Sequence, residues 1–543
     1  MLDIETSLKT TIQNALKKLG VEITLESIVI ERSKDKAHGD YATTVAMTQA
    51  RNLHKAPALI AKDIVANIHE DFIENIEIAG PGFINFFIKS DSLSSIIKTI
   101  VVEGDKYGEA KEKHKEKINV EFVSANPTGT LHLGHARGAA IGDTICRLYE
   151  KAGYNVTREY YVNDAGVQIN HLADSLIVRY HEVLGDNSRV LPDDGYHSKD
   201  LIEVAKKMVE EVGDKYLVDS EEGYNYFKRR GTKFLLDKLC DDLTDFRVKF
   251  DVFSSELDIR NAGKVEEVLD LLKKYEYNEE NALFLRTTDF TDDKDRVLIK
   301  SDGSYTYLLP DIAYHKNKFD RGYDVLIDVL GADHHGYIER MKSSMAMLGY
   351  NPDALNIELI QMVRLFKDGE EYKMSKRTGN AVGMKELCDE VGTDAVRYFF
   401  ISRAASSHLD FDLDLAGKME SSNPVYYAQY AHARLSQVLE KGKDIALDYD
   451  GKLLKEEKEL NLLKIISDFP KEVATAAKER APYKITNYIQ KLATSIHEFY
   501  SECRIYDESN LELTSSRLAL AKASKIVMKN ALEVIGVSAP EKM

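Results

Sequence analysis

Two histidines three residues apart form the first candidate site for chemistry in this sequence. His132 and His135 flank Gly134 where a loop rich in Pro, Gly and Thr, Ser124–Leu133, leads into a predicted helix, Gly134–Lys151. The start of a helix presents unpaired N–H groups and the positive end of its dipole, which favours phosphate. Imidazoles can donate hydrogen bonds to phosphate oxygens, and a glycine lets a nucleotide approach the backbone. Taken alone, the pair also fits two ordinary capping histidines.

A basic loop is the second candidate. Lys373, Lys376 and Arg377 place three cations within five residues, with Met374 and Ser375 between them, and a glycine follows two residues later. Such a loop can hold a polyphosphate. A solvated run of charges is the simpler interpretation of this loop when it is considered alone.

The elements around the histidines predict a parallel sheet. Ile118–Val123 and Asn155–Val162 are strand-like and are joined through the loop and the helix, which makes a β–loop–α–β unit. Asp324–Gly331 and Asn356–Val363 are further candidate strands of the same kind. Parallel strands connected in this way form a doubly wound sheet that binds ligands at the carboxyl ends of its strands.

The predicted fold class is α/β with three domains. Residues 1–112 are a small α+β N-terminal domain. Residues 113–415 are a doubly wound, Rossmann-like catalytic domain with a helical insertion at about 170–290 and the basic loop at 373–377. Residues 416–543 are an all-α domain. A length of 543 residues is consistent with this number, at about 150 residues per domain.

Composition excludes several classes of protein. With 43% hydrophobic and 30% charged residues the chain is not disordered, and no apolar run reaches the ~18 residues of a membrane span. The first twenty residues predict an amphipathic helix rather than a signal peptide, so we expect a cytoplasmic protein. The cysteines form no CxxC pair, which argues against a zinc ribbon and predicts no metal site; they are Cys146, Cys240, Cys388 and Cys503.

Charge is distributed unevenly along the chain. The net charge is −17, from 73 basic and 90 acidic residues, which by itself argues against a nucleic-acid partner. Residues 416–543 nevertheless hold 19 basic and 18 acidic residues and are close to neutral. A polyanion would therefore prefer the C-terminal part.

The two candidate sites together resemble the paired signatures of class I aminoacyl-tRNA synthetases. A His-Leu-Gly-His segment after the first strand and Lys-Met-Ser-Lys about 240 residues later are typical of that class. The wider sequence resembles the arginyl-tRNA synthetase family over essentially the whole chain. The segments that carry this resemblance are His38–Tyr41, Gly80–Phe83, Phe122–Gly129, Tyr160–Gly166, Gly331–Gly336, Tyr430–Arg434 and Ala539–Met543.

The resemblance implies an ATP site formed by both signatures. The residues it assigns to ATP are His132, Gly134, His135, Lys373, Met374, Ser375 and Lys376. Among these, His132, His135, Lys373 and Lys376 would act in catalysis, with Lys376 neutralising charge on the departing pyrophosphate. Mg²⁺ is expected to accompany ATP.

The resemblance also implies a pocket for L-arginine. It is assigned to Ser124, Ala125, Asn126, His135, Tyr307, Asp311 and His334. Tyr307 and Asp311 would bind the guanidinium, a cation that requires a carboxylate partner when it is buried. His334 departs from many relatives, which have glutamine nearby. Without the resemblance, Asp311 would be interpreted as the N-cap of the helix after Pro310.

The implied function is that of an arginine–tRNA ligase. It would activate L-arginine with ATP and transfer it to the terminal adenosine of tRNA(Arg), as a monomer and without a membrane partner. The C-terminal helices would bind the anticodon, with Tyr426, Tyr427 and Tyr430 stacking on bases and Arg434 on phosphate.

Two alternatives remain at this point. The first is another class I synthetase, although zinc cysteines and a large editing insertion are missing and a glutamyl-type enzyme would lack the N-terminal domain. The second is a non-catalytic tRNA-binding paralogue, although such a protein has no chemical reason to keep all four signature residues.

Overall fold

The computed structural model describes residues 4–33, 38–89, 93–127, 130–197, 200–334, 336–372 and 382–543. The predicted basic loop at 373–377 lies outside these residues. The fold class predicted from the sequence is confirmed: a parallel sheet flanked by helices follows a small α+β unit and precedes a helical bundle.

The N-terminal part is an antiparallel sheet covered by helices. Its strands pair in the order β1-β2-β4-β3. They are β1 (Ile30–Arg32), β2 (Tyr41–Thr43), β3 (Ile73–Ala79) and β4 (Phe83–Ile88). The helices are α1 (Ile4–Lys18), α2 (Val45–Thr48), α3 (Ala50–Leu53) and α4 (Pro57–Ala66). On α1, Leu8, Ile12 and Leu16 are spaced so that they share one buried face.

The central sheet has five parallel strands in the order β12-β11-β5-β6-β7. They are β5 (Lys117–Glu121), β6 (Asn155–Val162), β7 (Val252–Ser255), β11 (Val325–Gly331) and β12 (Leu355–Ile360). After α5 (Ile96–Glu103), β5 starts the sheet, and α6 (Leu133–Lys151) connects β5 to β6. Successive strands are added on one side of β5 as far as β7 and on its other side from β11 onward, so the strand order changes direction between β5 and β11. A doubly wound sheet binds its ligands at the carboxyl ends of the strands at such a point.

The segment predicted to be a helical insertion differs from that description. It contains α7 (Val167–Val183), α8 (Asp200–Val212) and α9 (Glu221–Asp245), and then β7, which completes the central sheet. Two short helices, α10 (Glu256–Asn261) and α11 (Lys264–Leu272), lead into an antiparallel sheet of β8 (Glu276–Glu279), β9 (Ala282–Leu285) and β10 (Arg296–Ile299). These strands have only four residues each, which is too short for alternation to appear in the sequence.

The remaining elements complete the catalytic part. They are α12 (Leu308–Asp320), α13 (Tyr337–Met347), α14 (Met384–Val391), α15 (Thr393–Ile401) and α16 (Leu413–Ala416), with a small sheet of β13 (Val363–Lys367), β14 (Glu370–Glu371) and β15 (Leu409–Asp412). Four long helices follow, namely α17 (Pro424–Lys441), α18 (Glu457–Lys478), α19 (Tyr483–Glu502) and α20 (Leu511–Val534). In the described part of the chain, no helix has both the length and the apolar character needed to cross a membrane.

Candidate active site

The signature histidines lie at the start of α6 and cap it. His132 is the N-cap, and its Nδ1 accepts hydrogen bonds from the backbone N–H of Gly134 (3.0 Å) and of His135 (3.4 Å). The Nδ1 of His135 in turn accepts from the backbone N–H of His132 (3.4 Å), and the two rings stack with centroids 3.6 Å apart. Two of the N–H groups that the sequence offered to phosphate are therefore already bonded. A bound phosphate would therefore accept hydrogen bonds from the outer edges of the two imidazole rings.

This capping arrangement fixes the protonation of both rings. Because each Nδ1 accepts a hydrogen bond, the proton of the neutral ring is on Nε2, which can donate. Burial lowers the pKa of His132, and burial together with the neighbouring His132 lowers the pKa of His135 to about 4. Both histidines are therefore neutral hydrogen-bond donors at pH 7.

A cleft of about 350 Å³ opens beside the histidines. It is lined by the start of α6 and by β13, with Met362 70% exposed at its edge. Tyr372 and Val382, which flank the undescribed segment 373–381, line the same cleft. Gly383 also forms an antiparallel bridge with His132. The described residues on both sides of the predicted lysine segment thus lie beside the histidines.

A buried ionic network lies at the carboxyl ends of β5 and β11. Glu121 and Asp328 are partners in the register of these two strands. The Nζ of Lys318, a residue with no exposed surface, donates to Glu121 (2.5 Å) and to Asp328 (2.9 Å). The ring of His315 donates to Asp328 (2.6 Å) and to the backbone oxygen of Asp311 (2.7 Å). Although burial opposes it, the Asp328 carboxylate raises the pKa of His315, which favours the cationic form.

Asp311 is a carboxylate beside this network that forms no ion pair of its own among the described residues. No ion pair engages its side chain within the described ranges; its hydrogen-bond partner is Tyr337. Burial, and then the charges of Glu121 and Glu256, raise the pKa of Asp311 to about 7 against the opposing effect of His315. An external cation placed here would gain a charged partner and relieve this repulsion.

The geometry around Asp311 rejects the N-cap interpretation. Helix α12 begins at Leu308, so Asp311 lies within its first turn and its N–H donates to the oxygen of Tyr307 (3.3 Å). Tyr307 precedes the helix and its side chain is 85% exposed. Asp311 is thus a partly buried residue inside the helix, whereas the ring of Tyr307 is in solvent. His334 lies at the periphery, half exposed, with its ring 6.2 Å from that of Tyr337.

The loop after β5 presents the other predicted arginine residues. Val123 and Ser124 have positive φ angles of 70° and 40°, a strained conformation that is concentrated at functional sites. Ser124 Oγ donates to Glu121 (2.9 Å), and Asn126 Nδ2 donates to Gln168 (2.9 Å). The oxygen of Ala125 accepts from a tyrosine hydroxyl (2.6 Å). The loop is thus fixed close to Glu121.

Long-range contacts bring further charged residues into this site. Glu121, His315 and Lys318 were not predicted from the sequence; the available signal for Glu121 was a carboxylate among the apolar residues of a predicted strand. Glu159, on the neighbouring strand β6, has no exposed surface and accepts hydrogen bonds from Arg321, Tyr314, Ser254 and Asn119. It supports the sheet and has no free oxygen for a substrate.

All three parts of the chain match known protein families. Residues 96–403, more than half of the chain, match the family model "tRNA synthetases class I (R), catalytic domain". Residues 6–88 match "Arginyl tRNA synthetase N terminal domain", and residues 428–543 match "DALR anticodon binding domain". An arginine–tRNA ligase of Bacillus subtilis (strain 168) is 52% identical over 99% of this chain and 98% of its own length. The chain belongs to the arginyl-tRNA synthetase family.

Solved structures agree with this membership. A putative arginyl-tRNA synthetase from Campylobacter jejuni superposes with a TM-score of 0.77 at 36% identity, covering 84% of this chain and all of that one. The Thermus thermophilus arginyl-tRNA synthetase shares the fold, with a TM-score of 0.76 at 21% identity over the full length of both chains. As an arginyl-tRNA synthetase, the chain is an aminoacyl-tRNA ligase with ATP as a substrate. Nothing supports the non-catalytic alternative.

Proposed function

We propose that the two halves of the site hold ATP and L-arginine side by side, so that the chain forms arginyl-adenylate and transfers arginine to the terminal adenosine of tRNA(Arg). The observation that carries this proposal is the Asp311 carboxylate, which is partly buried and forms no ion pair with a described residue, in the same domain whose helix α6 starts with two neutral imidazole donors. The first group suits a guanidinium, and the second suits phosphate.

For ATP, the Nε2–H groups of His132 and His135 would donate to phosphate oxygens, with Gly134 allowing close approach. A Cβ at Gly134 would lie 2.9 Å from the His132 ring, so a larger residue would displace the capping ring. Lys373, Met374, Ser375 and Lys376 stay assigned to ATP as a prediction from the sequence. Mg²⁺ would be held mainly by the phosphates, because the described residues contain no cluster of three metal-binding side chains.

For arginine, Asp311 would pair with the guanidinium while Glu121 contributes a second negative charge behind it. Ser124, Ala125 and Asn126 would line the main-chain end of the amino acid, which places its carboxylate towards His135. Tyr307 would form the outer wall. His334, at the periphery, would contribute least.

The chemistry then needs no protein nucleophile. The arginine carboxylate attacks the α-phosphorus in line, an oxygen–phosphorus bond forms, and pyrophosphate leaves. The 2′-OH of the terminal adenosine next attacks the activated carbonyl, and AMP leaves. Positioning and electrostatic stabilisation supply the rate enhancement, as in other phosphoryl transfers.

For the anticodon, the structure supports a stacking surface at the start of α17. Tyr426 and Tyr430 are partly exposed and stack with centroids 5.9 Å apart. The guanidinium of Arg434 lies 4.0 Å from the centroid of the Tyr500 ring. Tyr427 instead packs on His497 at 4.4 Å and fits a structural role better. We further propose a cytoplasmic monomer.

The direct test is aminoacylation of unfractionated tRNA with each of the twenty amino acids in turn. Arginine alone should be attached to tRNA, and omission of ATP should abolish the reaction. Attachment of a different amino acid would contradict the assignment of the pocket.

The pH dependence of arginine use should report the ionisation of Asp311. Because the guanidinium stays charged, only the ionised carboxylate can pair with it. With a pKa of about 7 in the free protein, kcat/KM for arginine should fall about tenfold per pH unit below pH 7 and level off above it. Asp311→Asn should lack this acidic limb, and a limb that persists in this variant would assign the ionisation to another group.

Lys376→Ala should lower kcat and kcat/KM together, by about 10²-fold, because the lysine is assigned to charge that develops on the leaving pyrophosphate. The KM for arginine should change little. Lys367→Ala is a suitable control, since Lys367 lies nine residues earlier in the chain, on β13, and pairs with Glu390. A rise in the KM for ATP at constant kcat would instead indicate ground-state binding.

A further inference from the structure

One buried side chain connects α6, the helix that starts at the two signature histidines, to the C-terminal domain. Arg397, on α15, has no exposed surface. Its guanidinium donates to Asp143 Oδ2 on α6 (2.6 Å), to the oxygen of Phe246 at the end of α9 (2.9 Å) and to the oxygen of Ile535 at the end of α20 (3.1 Å). A single cation therefore joins the helix that carries the histidines, the insertion and the last helix of the anticodon-binding domain.

The surroundings of this guanidinium are closely fitted. Gly536 has a φ of +68°, and a Cβ at this position would lie 2.4 Å from nitrogen atoms of Arg397. Asp143 is 2% exposed and also accepts from Arg147 Nε (2.7 Å), whose guanidinium reaches the oxygen of Glu533 (3.2 Å). Two arginines thus connect α6 with the end of α20.

A displacement at Asp143 should reach the histidines as a rigid movement of α6. Asp143 follows His135 by eight residues, about 12 Å along the helix axis. Between these two residues α6 packs closely against Phe122, which directly follows β5. The closeness is shown by Gly142, where a Cβ would lie 2.3 Å from the Phe122 ring. Rates of in-line transfer are sensitive to displacements of about 1 Å.

We propose that Arg397 is a positioning residue, which sets the position of α6 relative to the C-terminal helices and thereby aligns His132 and His135 for the reaction. This inference rests on the proposed function of the histidines. It concerns kcat more than substrate binding, because Arg397 is remote from the cleft and from Asp311.

The test compares Arg397→Lys with a matched buried pair elsewhere. Arg517 pairs with the buried Glu459 at 2.6 Å within the C-terminal helices, with no contact to α6. Measured with tRNA present, Arg397→Lys should lower kcat for arginine-dependent pyrophosphate exchange at least tenfold, with KM values for ATP and arginine changed less than threefold. Arg517→Lys should lower the urea midpoint to a similar extent and leave kcat within twofold. A normal kcat in folded Arg397→Lys would overturn the proposal.

Gly536→Ala perturbs the same contact from the C-terminal side. It should show the same loss of kcat, and the double variant with Arg397→Lys should be no worse than the more damaged single variant. If the losses of kcat in the two single variants multiply in the double variant, the two residues do not act through one shared contact and the proposal is overturned. If Arg397→Lys does not fold, Gly536→Ala alone decides the question by its kcat. Failure of the wild-type chain to catalyse exchange in the presence of tRNA would refute the proposed function, a result distinct from these.

Discussion

Asp311→Ala should reduce kcat/KM for arginine by about 10²- to 10⁴-fold. This range corresponds to the roughly 3–5 kcal/mol lost when one partner of a buried ion pair is removed. The loss should be specific to arginine, because the cleft proposed for ATP is lined by α6 and β13 and does not include Asp311. Steady-state kinetics with arginine and ATP varied separately would measure both effects.

Two further variants separate charge from structure. Asp311→Asn keeps the shape and should lose nearly as much as alanine, since an amide cannot pair with a guanidinium as an anion does. Asp320→Asn changes a carboxylate at the other end of α12 that pairs with Lys316, and should leave arginine kinetics unchanged. Equal damage to arginine and ATP kinetics in Asp311→Ala would indicate a structural role.

Arginine-dependent pyrophosphate exchange should be undetectable without tRNA and robust with it. The family resemblance implies this coupling, and the structure offers a physical reason for it. In the free chain the ring of Tyr307 is 85% exposed, so the outer wall of the arginine pocket is open. A terminal adenosine stacked on this ring would close the pocket and use binding energy from distant tRNA contacts to order the site.

The coupling can be tested with altered tRNA and altered protein. A tRNA that lacks its terminal adenosine should bind and yet fail to support exchange, and Tyr307→Ala should resemble this defect while Tyr307→Phe should not. Salt should weaken tRNA binding steeply. Contacts to tRNA phosphates release the counterions bound to the tRNA, and this holds even when the protein has a negative net charge. Robust exchange without any tRNA would contradict the coupling.

Local features of the chain were predictable because they depend on near neighbours. The capped start of α6 follows from His132, Gly134 and His135 within four residues, and the strands β5, β6 and β11 follow from their β-branched and aromatic residues. Where strands are only four residues long, as in β7, the pattern carries too little information. Pairing with β6 is what makes Val252–Ser255 a strand.

The sequence by itself determined the family resemblance, the fold class and the two histidines at the start of a helix, because these are encoded in contiguous residues. Only the tertiary structure decided the electrostatics of the pocket proposed for arginine. Glu121 and Asp328 are 207 residues apart and become neighbours through the register of β5 and β11. Lys318 is then bound between them, so its charge does not pair with Asp311. Whether a carboxylate is neutralised by the protein or left for a substrate depends on such long-range contacts, and no local pattern records them.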